Sequence, residues 1–355
     1  MDSISAFTDD DDVFRGGIIY FISQSAGLMH VDSATWACLW LADISRLETI
    51  HDNLNESVQD PEPSILMDFS ASRMLRIWAG LEVDDYDDED GDNEEEETEA
   101  QDHRLQTRSD DSASPQRETG ALKTDSAVSI LTEHENDFET EPEPEHDGRL
   151  PLAEDVCMER DHHSCILTKA RESIAVVSIY QESLVLPRPR SGTAGLHHQT
   201  TFWNPAKTLF NTEKFSQWEA RLKSSQLTRT ASTMLTLSIH AEVLWKQARF
   251  GLKPVDLSAD RKTLTVQFHW FPYVAYSEEV PLTKKPYIED GIGGPQEAIL
   301  WDEVNDRNII SGDMITLVTE DPVRWPLPDV EVLRMQWDFG RLVALSGVGD
   351  VGYIE

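Results

Sequence analysis

Cysteine is scarce in this 355-residue chain, which contains only Cys38, Cys157 and Cys165. Three thiols cannot build a disulfide framework, so a small cross-linked secreted scaffold is excluded and a reducing compartment is expected. Long apolar runs are also missing: no uncharged apolar stretch reaches the ~18 residues that a membrane-spanning helix needs. Basic residues are few, with 30 Lys plus Arg against 66 Asp plus Glu and a formal net charge of −36. The opening Met1-Asp2-Ser3, followed by Asp9 to Asp12, has the wrong sign for a secretory or mitochondrial leader. The expectation is a soluble intracellular protein, in nucleus or cytoplasm, with no membrane partner.

The acidic surplus is uneven. Residues 1–149 hold 39 acids against 9 bases, a net of −30, whereas residues 150–355 carry a net of only −6. The surplus centres on Asp84 to Glu99, with 12 acids in 16 residues. Self-repulsion and low hydrophobicity keep such a segment from burying enough surface to offset chain entropy, so residues 83–149 are expected to be a disordered acidic linker. It would serve as a spacer, shield a basic face or recruit a basic partner. From Arg160 to Lys262 the balance reverses, with 15 bases and 8 acids for a net of +7. This basic segment, 160–262, is a candidate surface for nucleic-acid phosphates, although ordinary surface charge explains it equally well.

Three parts follow: residues 1–82 as a small strand-plus-helices region, 83–149 as linker, and 150–355 as the main domain. The β-rich run Phe14 to Ser23 predicts a strand. Asp32 is a plausible N-cap for one helix carrying Trp36, Trp40, Ile44, Leu47 and Leu54 at helical spacing. A second helix is expected over 64–81. Further on, Cys165 to Tyr180 reads as a local β-hairpin, and Phe202 to Leu222 as a helix with Pro205 near its start. Arg261 to Phe271 alternates as a half-buried strand. Ile309 to Thr319 reads as two strands about a Ser-Gly-Asp turn, and Pro328 to Ser346 as an amphipathic helix stopped by Gly347. The fold class is α+β, with strands and helices mostly segregated.

Several blocks of the C-terminal half resemble, in order, the fungal HNH-endonuclease-domain family. They begin with Cys165-x-x-Thr168, Ser178-Ile179-Tyr180, the Phe202-Trp203 to Trp218 helix and Leu235-Thr-Leu-Ser238. They continue with Phe250-Gly-Leu-Lys-Pro254, the strand Leu264 to Trp270, Ser311-Gly-Asp313, Asp321-Pro322 and Leu327-Pro328. Met335-Gln-Trp337 and Leu345-Ser-Gly347 complete the set, which covers roughly residues 155–350. The resemblance implies an HNH-like ββα-metal core extended by β-hairpins and a C-terminal helix. In that family a histidine on a hairpin activates water, an asparagine braces the connecting loop, and a histidine on the following helix helps hold a divalent ion such as Mg²⁺ or Mn²⁺.

This chain departs from the pattern at each catalytic position. Ser178 stands for the base, Thr233 for the asparagine and Glu242 for the last histidine, with His240 two residues earlier. An unactivated hydroxyl is not a general base near neutral pH, while Glu242 and His240 remain candidate metal ligands. The leading expectation is therefore an HNH nuclease-like domain without effective hydrolysis that binds nucleic acid or a protein partner. One alternative is a divergent metal-dependent endonuclease using Glu242, His240 and His162 or His163. Another is a structural interaction module built around the acidic linker. Cys157, His162, His163 and Cys165 lie close in sequence but lack a standard zinc spacing, so zinc is disfavoured. No Gly-x-Ser-x-Gly elbow is present. The Gly291-Ile-Gly-Gly294 stretch lacks the context of a phosphate loop and reads as a turn. His269, on the alternating strand, is expected to face solvent or be satisfied internally.

Overall fold

A computed structural model describes residues 12–56, 70–81, 152–181, 184, 194–223, 230–286 and 294–349. The expected linker, 83–149, lies outside them. The chain opens with α1 (Asp12–Ala26), β1 (His30–Val31), α2 (Ser33–Leu41), α3 (Ile44–Glu56) and α4 (Ser70–Trp78). After α5 (Ala153–Arg160) come β2 (Ile174–Ser178), α6 (Ala194–Leu209), α7 (Thr212–Lys223), β3 (Met234–Ser238) and α8 (Ile239–Lys246). The chain continues through β4 (Phe250–Leu257), β5 (Thr263–Trp270), β6 (Val280–Pro281), β7 (Trp301–Asp302), β8 (Arg307–Asn308), β9 (Met314–Val318) and α9 (Val330–Ser346). Helices thus combine with small antiparallel sheets, and the α+β class holds. β4, β5 and β9 form one sheet with β5 central, while β1–β6, β2–β3 and β7–β8 are two-stranded.

The strand expected at Phe14 to Ser23 is instead helix α1. Its β-rich composition yields to tertiary packing: Arg15, Ile18, Ile19, Ile22 and Ser23 recur at helical spacing and are all buried. The Arg15 guanidinium also donates to the carbonyl of Ala42. Asp32 does cap α2, its carboxylate accepting the N–H groups of Ala34 and Thr35 at 2.9 and 3.0 Å. The single helix expected beyond it is broken in two, because Ala42 is extended (ψ 151°) and Asp43 turns aside to donate its N–H to the Leu209 carbonyl. Of the helix expected over 64–81, the described part is α4.

The expected hairpin over 165–180 is not local. Residues 165–170 close on themselves, with the Thr168 N–H donating to the Cys165 thiol at 3.3 Å and the Cys165 N–H to the Ala170 carbonyl. Only β2 is a strand, and its antiparallel partner is β3, with Ile174 opposite Ser238 and Ser178 opposite Met234. The helix expected over 202–222 is α6 plus α7, with Pro205 inside α6 and the Asn211 side chain accepting the Lys214 N–H at 2.9 Å. In place of two strands about Ser311–Asp313, β9 alone follows the turn. Asp313 holds that turn by accepting the Ile310 N–H and pairing with Arg307.

The helix expected over 328–346 is α9. Asp329 caps it, and left-handed Gly347 ends it, where an added Cβ would lie 2.4 Å from the Tyr276 nitrogen. Almost wholly buried, α9 is the axis of the core. Its Phe339 lies 4.7 Å from the Trp78 ring, 5.0 Å from Phe202 and 5.5 Å from Phe210, joining α4 and α6 around one aromatic cluster. The N-terminal helices share this core: the Ser33 hydroxyl donates to the Ser346 carbonyl at 2.6 Å, and the Trp40 indole to Leu282 at 3.0 Å. No helix among the described residues is long and apolar enough to cross a membrane.

β5 alternates as expected through Leu264, Val266, Phe268 and Trp270, but His269 is buried as well. It packs 5.1 Å from the Trp337 ring, and its Nε2 has no hydrogen-bond partner among the described residues. Burial first, then the nearby Lys253 and Arg341 cations, lower its pKa from the ordinary 6.5 to about 4. The unfolded chain binds this proton at higher pH, so the histidine's contribution is complete above ~6.5 and is lost as pH falls toward ~4. Unfolding free energy measured across that window should fall more steeply for the native chain than for His269→Phe. Equal slopes would contradict the assignment.

Candidate functional site

Consecutive β3 and α8 pack with β2 into a strand–strand–helix unit, and a buried ion pair fixes it from below. The Arg160 guanidinium, at the end of α5, donates to both carboxylate oxygens of Asp161 at 2.8 Å, with both side chains almost wholly out of solvent. Its remaining donors reach the carbonyls of Ala231 (2.6 Å), Met234 (2.9 Å) and Pro326 (3.1 Å) and the Cys157 sulfur (3.2 Å). Asp161 in turn accepts the Thr236 N–H at 3.0 Å in the middle of β3. A buried charge is tolerated only when paired and fully hydrogen-bonded, which this arrangement achieves for both partners. It locks the start of β3 against α5 and thereby sets where α8 begins.

Above this base lies a cleft of about 380 Å³. Its lining comes from Trp78 and Ala79 at the end of α4, from Val176 to Gln181 along and beyond β2, from Glu242, Trp245, Lys246 and Ala248 at α8, and from Gln336, Gly340 and Val343 on α9. Two of the sequence-derived candidates meet here. Ser178 closes β2, and Glu242 stands in the first turn of α8, which Ser238 caps by accepting the Ala241 N–H. The Glu242 carboxylate accepts from Lys246 at 2.7 Å, one helical turn on.

The other two candidates lie elsewhere. His240 does not line the cleft; its ring Nε2 hydrogen-bonds with the Ile299 carbonyl at 3.0 Å. Residues two apart on a helix face away from each other, so His240 and Glu242 cannot serve one centre while α8 is intact. Thr233 is buried beneath the strand pair. Its hydroxyl donates to the Thr230 carbonyl at 2.9 Å and its own carbonyl accepts the Ile179 N–H at 2.9 Å, so it braces the exit of β2.

A divalent ion of the kind implied by the family resemblance fits this donor set poorly. The cleft's described lining presents a single carboxylate, Glu242, whereas hard cations take several oxygen ligands. Among the described residues no group of three His, Cys, Asp or Glu is placed to hold a metal. The Cys157 thiol, buried against Arg160 and Thr236, is pushed up to about 12 chiefly by desolvation. His162 and His163 are exposed on the turn after α5, apart from the buried Cys157 and Cys165.

Many bases of the 160–262 segment are occupied within the fold. Lys214 pairs with Asp338 at 2.7 Å, Arg221 with Asp329 at 3.5 Å, and Arg249 donates to Pro295 and stacks on Tyr273. Among the cleft's described lining residues, Lys246 is the only cation. Sequence reading missed Gln336, whose Oε1 is buried without a hydrogen-bond partner, and Gly340, where a Cβ would lie 3.0 Å from Phe271 and 3.2 Å from Gln336. Both sit on the buried stripe of an amphipathic helix, where a glutamine among apolar residues was the available signal.

Comparison with models of known protein families, with characterised proteins and with solved structures finds no match.

Removing the Arg160 side chain leaves Asp161 charged and unpaired in the core. Arg160→Ala should lower the unfolding free energy by about 3–5 kcal/mol in denaturant titration. A loss below about 1 kcal/mol, the worth of an exposed pair, would show that the interaction is not the buried anchor described.

Proposed function

We propose that this chain is a nuclease-derived ββα scaffold that acts by binding and does not hydrolyse phosphodiesters. One observation carries the reading: Ser178 and Glu242 share a cleft whose described lining contains no imidazole, while His240 is engaged with Ile299 outside it. Hydrolysis needs a group that accepts a proton from water near neutral pH, and a serine hydroxyl does not do so unaided. The cleft keeps room, hydrogen-bonding groups and aromatic walls, which are properties of a binding site.

A protein partner is favoured over nucleic acid. Phosphate binding needs clustered bases, yet Lys246 is the only cation in the cleft's described lining and several other bases of the segment are held within the fold. The placement of Glu242 in the cleft favours one second reading, a divergent metal-dependent endonuclease with a carboxylate where the HNH pattern has histidine.

A plasmid-nicking assay on the full chain separates the two. The proposed function predicts intact supercoiled plasmid with Mg²⁺, Mn²⁺ or EDTA alike. Metal-dependent nicking that disappears in Glu242→Ala would overturn it in favour of the endonuclease.

A further inference from the structure

We infer that the cleft takes the guanidinium of an arginine side chain presented by a basic protein partner. This deepens the binding reading and rests on it. The first ground is an unsatisfied acceptor. Gln336 is only 4% exposed, lines the cleft, and leaves its Oε1 with no hydrogen-bond partner among the described residues. A buried acceptor without a donor is costly, and the terminal torsion of a glutamine is soft enough to turn that oxygen toward a ligand. Arginine brings no acceptor and presents five donors in one plane.

The walls supply the second ground. Trp78 and Trp245 are among the cleft's lining residues, and indole attracts guanidinium through its ring electrons. At the mouth stands Glu242, a carboxylate that offers the countercharge. Its present partner, Lys246, has 68% of its side chain exposed, and an exposed pair of this kind is weak enough to be exchanged for an incoming cation. A lysine ammonium is a compact point charge and serves a planar, multi-acceptor site less well than a guanidinium.

Long-range charge agrees. The chain carries −36 overall and −30 over residues 1–149, a field that concentrates cations near the protein and repels polyanions. An acidic chain whose cleft shows neutral acceptors, aromatic residues and, in its described lining, one carboxylate is complementary to a basic peptide.

The test uses the full chain at physiological salt and fluorescence anisotropy of a short labelled peptide with one central arginine among neutral residues. Lysine and citrulline versions serve as comparators. The arginine peptide should bind, and the two comparators should bind about tenfold more weakly, as expected for loss of a charge-assisted hydrogen bond. Gln336→Leu and Glu242→Gln, each checked for an unchanged melting temperature, should weaken the arginine peptide by a similar factor. Glu242→Gln keeps the side chain's size at a half-buried position and keeps the test decisive if Gln336→Leu does not fold. Undiminished binding by folded variants would place the cation elsewhere and overturn the inference. A labelled single-stranded oligonucleotide with Mn²⁺ is run in parallel. Cleft-dependent binding of the oligonucleotide but not the peptide would overturn the arginine assignment and leave the binding reading intact. Cleavage of the oligonucleotide would overturn the binding reading itself.

Discussion

The buried pair of Arg160 and Asp161 is the constraint on which the strand–strand–helix unit depends. Strands β2 and β3 are separated by more than fifty residues, and a two-stranded ribbon alone is marginal in water. The guanidinium and carboxylate hold the carbonyl of Met234 and the N–H of Thr236 in β3, and reach the turn at Ala231 and the chain at Pro326. Each partner is desolvated, so neither can be released singly without a large penalty. The pair therefore positions β3, β3 positions the cap Ser238, and Ser238 starts α8 with Glu242 in its first turn.

The cleft follows from that placement. Helix α9 closes one wall because Phe339 anchors it in the aromatic cluster, and Gly340 leaves the space that Gln336 and Phe271 occupy. What distinguishes the cleft chemically is its donor set. Its described lining sets one carboxylate, the Lys246 ammonium, a serine hydroxyl and two amides among aromatic residues, with no imidazole. Under the proposed reading, the architecture of a hydrolytic site is put to use in recognition, and the acidic charge of the chain selects cationic partners.

Much of this was legible in the sequence where a local rule and the tertiary packing agree. Helix α9 carries its cap, its apolar stripe and its terminal glycine in one segment, and β5 alternates cleanly. Phe14 to Ser23 misled because β-branched and aromatic residues fit a strand as well as a buried helix, and the face formed by Arg15, Ile18, Ile19, Ile22 and Ser23 decided in favour of the helix. The partner of β2 could not be read locally, since its register is set by the distant β3. At the site, Ser178, Thr233 and Glu242 could be named as candidates residue by residue. The separation of His240 from Glu242 required knowing that both lie within one helix. Gln336 was hidden because an unsatisfied acceptor is a property of packing, not of spacing.

Native-state hydrogen exchange at the amides of Thr236 and Ile179 tests the central claim most directly, namely that the buried pair holds a preformed cleft. Both amides are tied into the strand–strand unit behind it, Thr236 to Asp161 and Ile179 to the Thr233 carbonyl. The account predicts that they exchange only through global unfolding, with the same denaturant dependence as the whole fold. Exchange through local opening, insensitive to denaturant, would show that the strand pair moves independently of the buried ion pair and would contradict it.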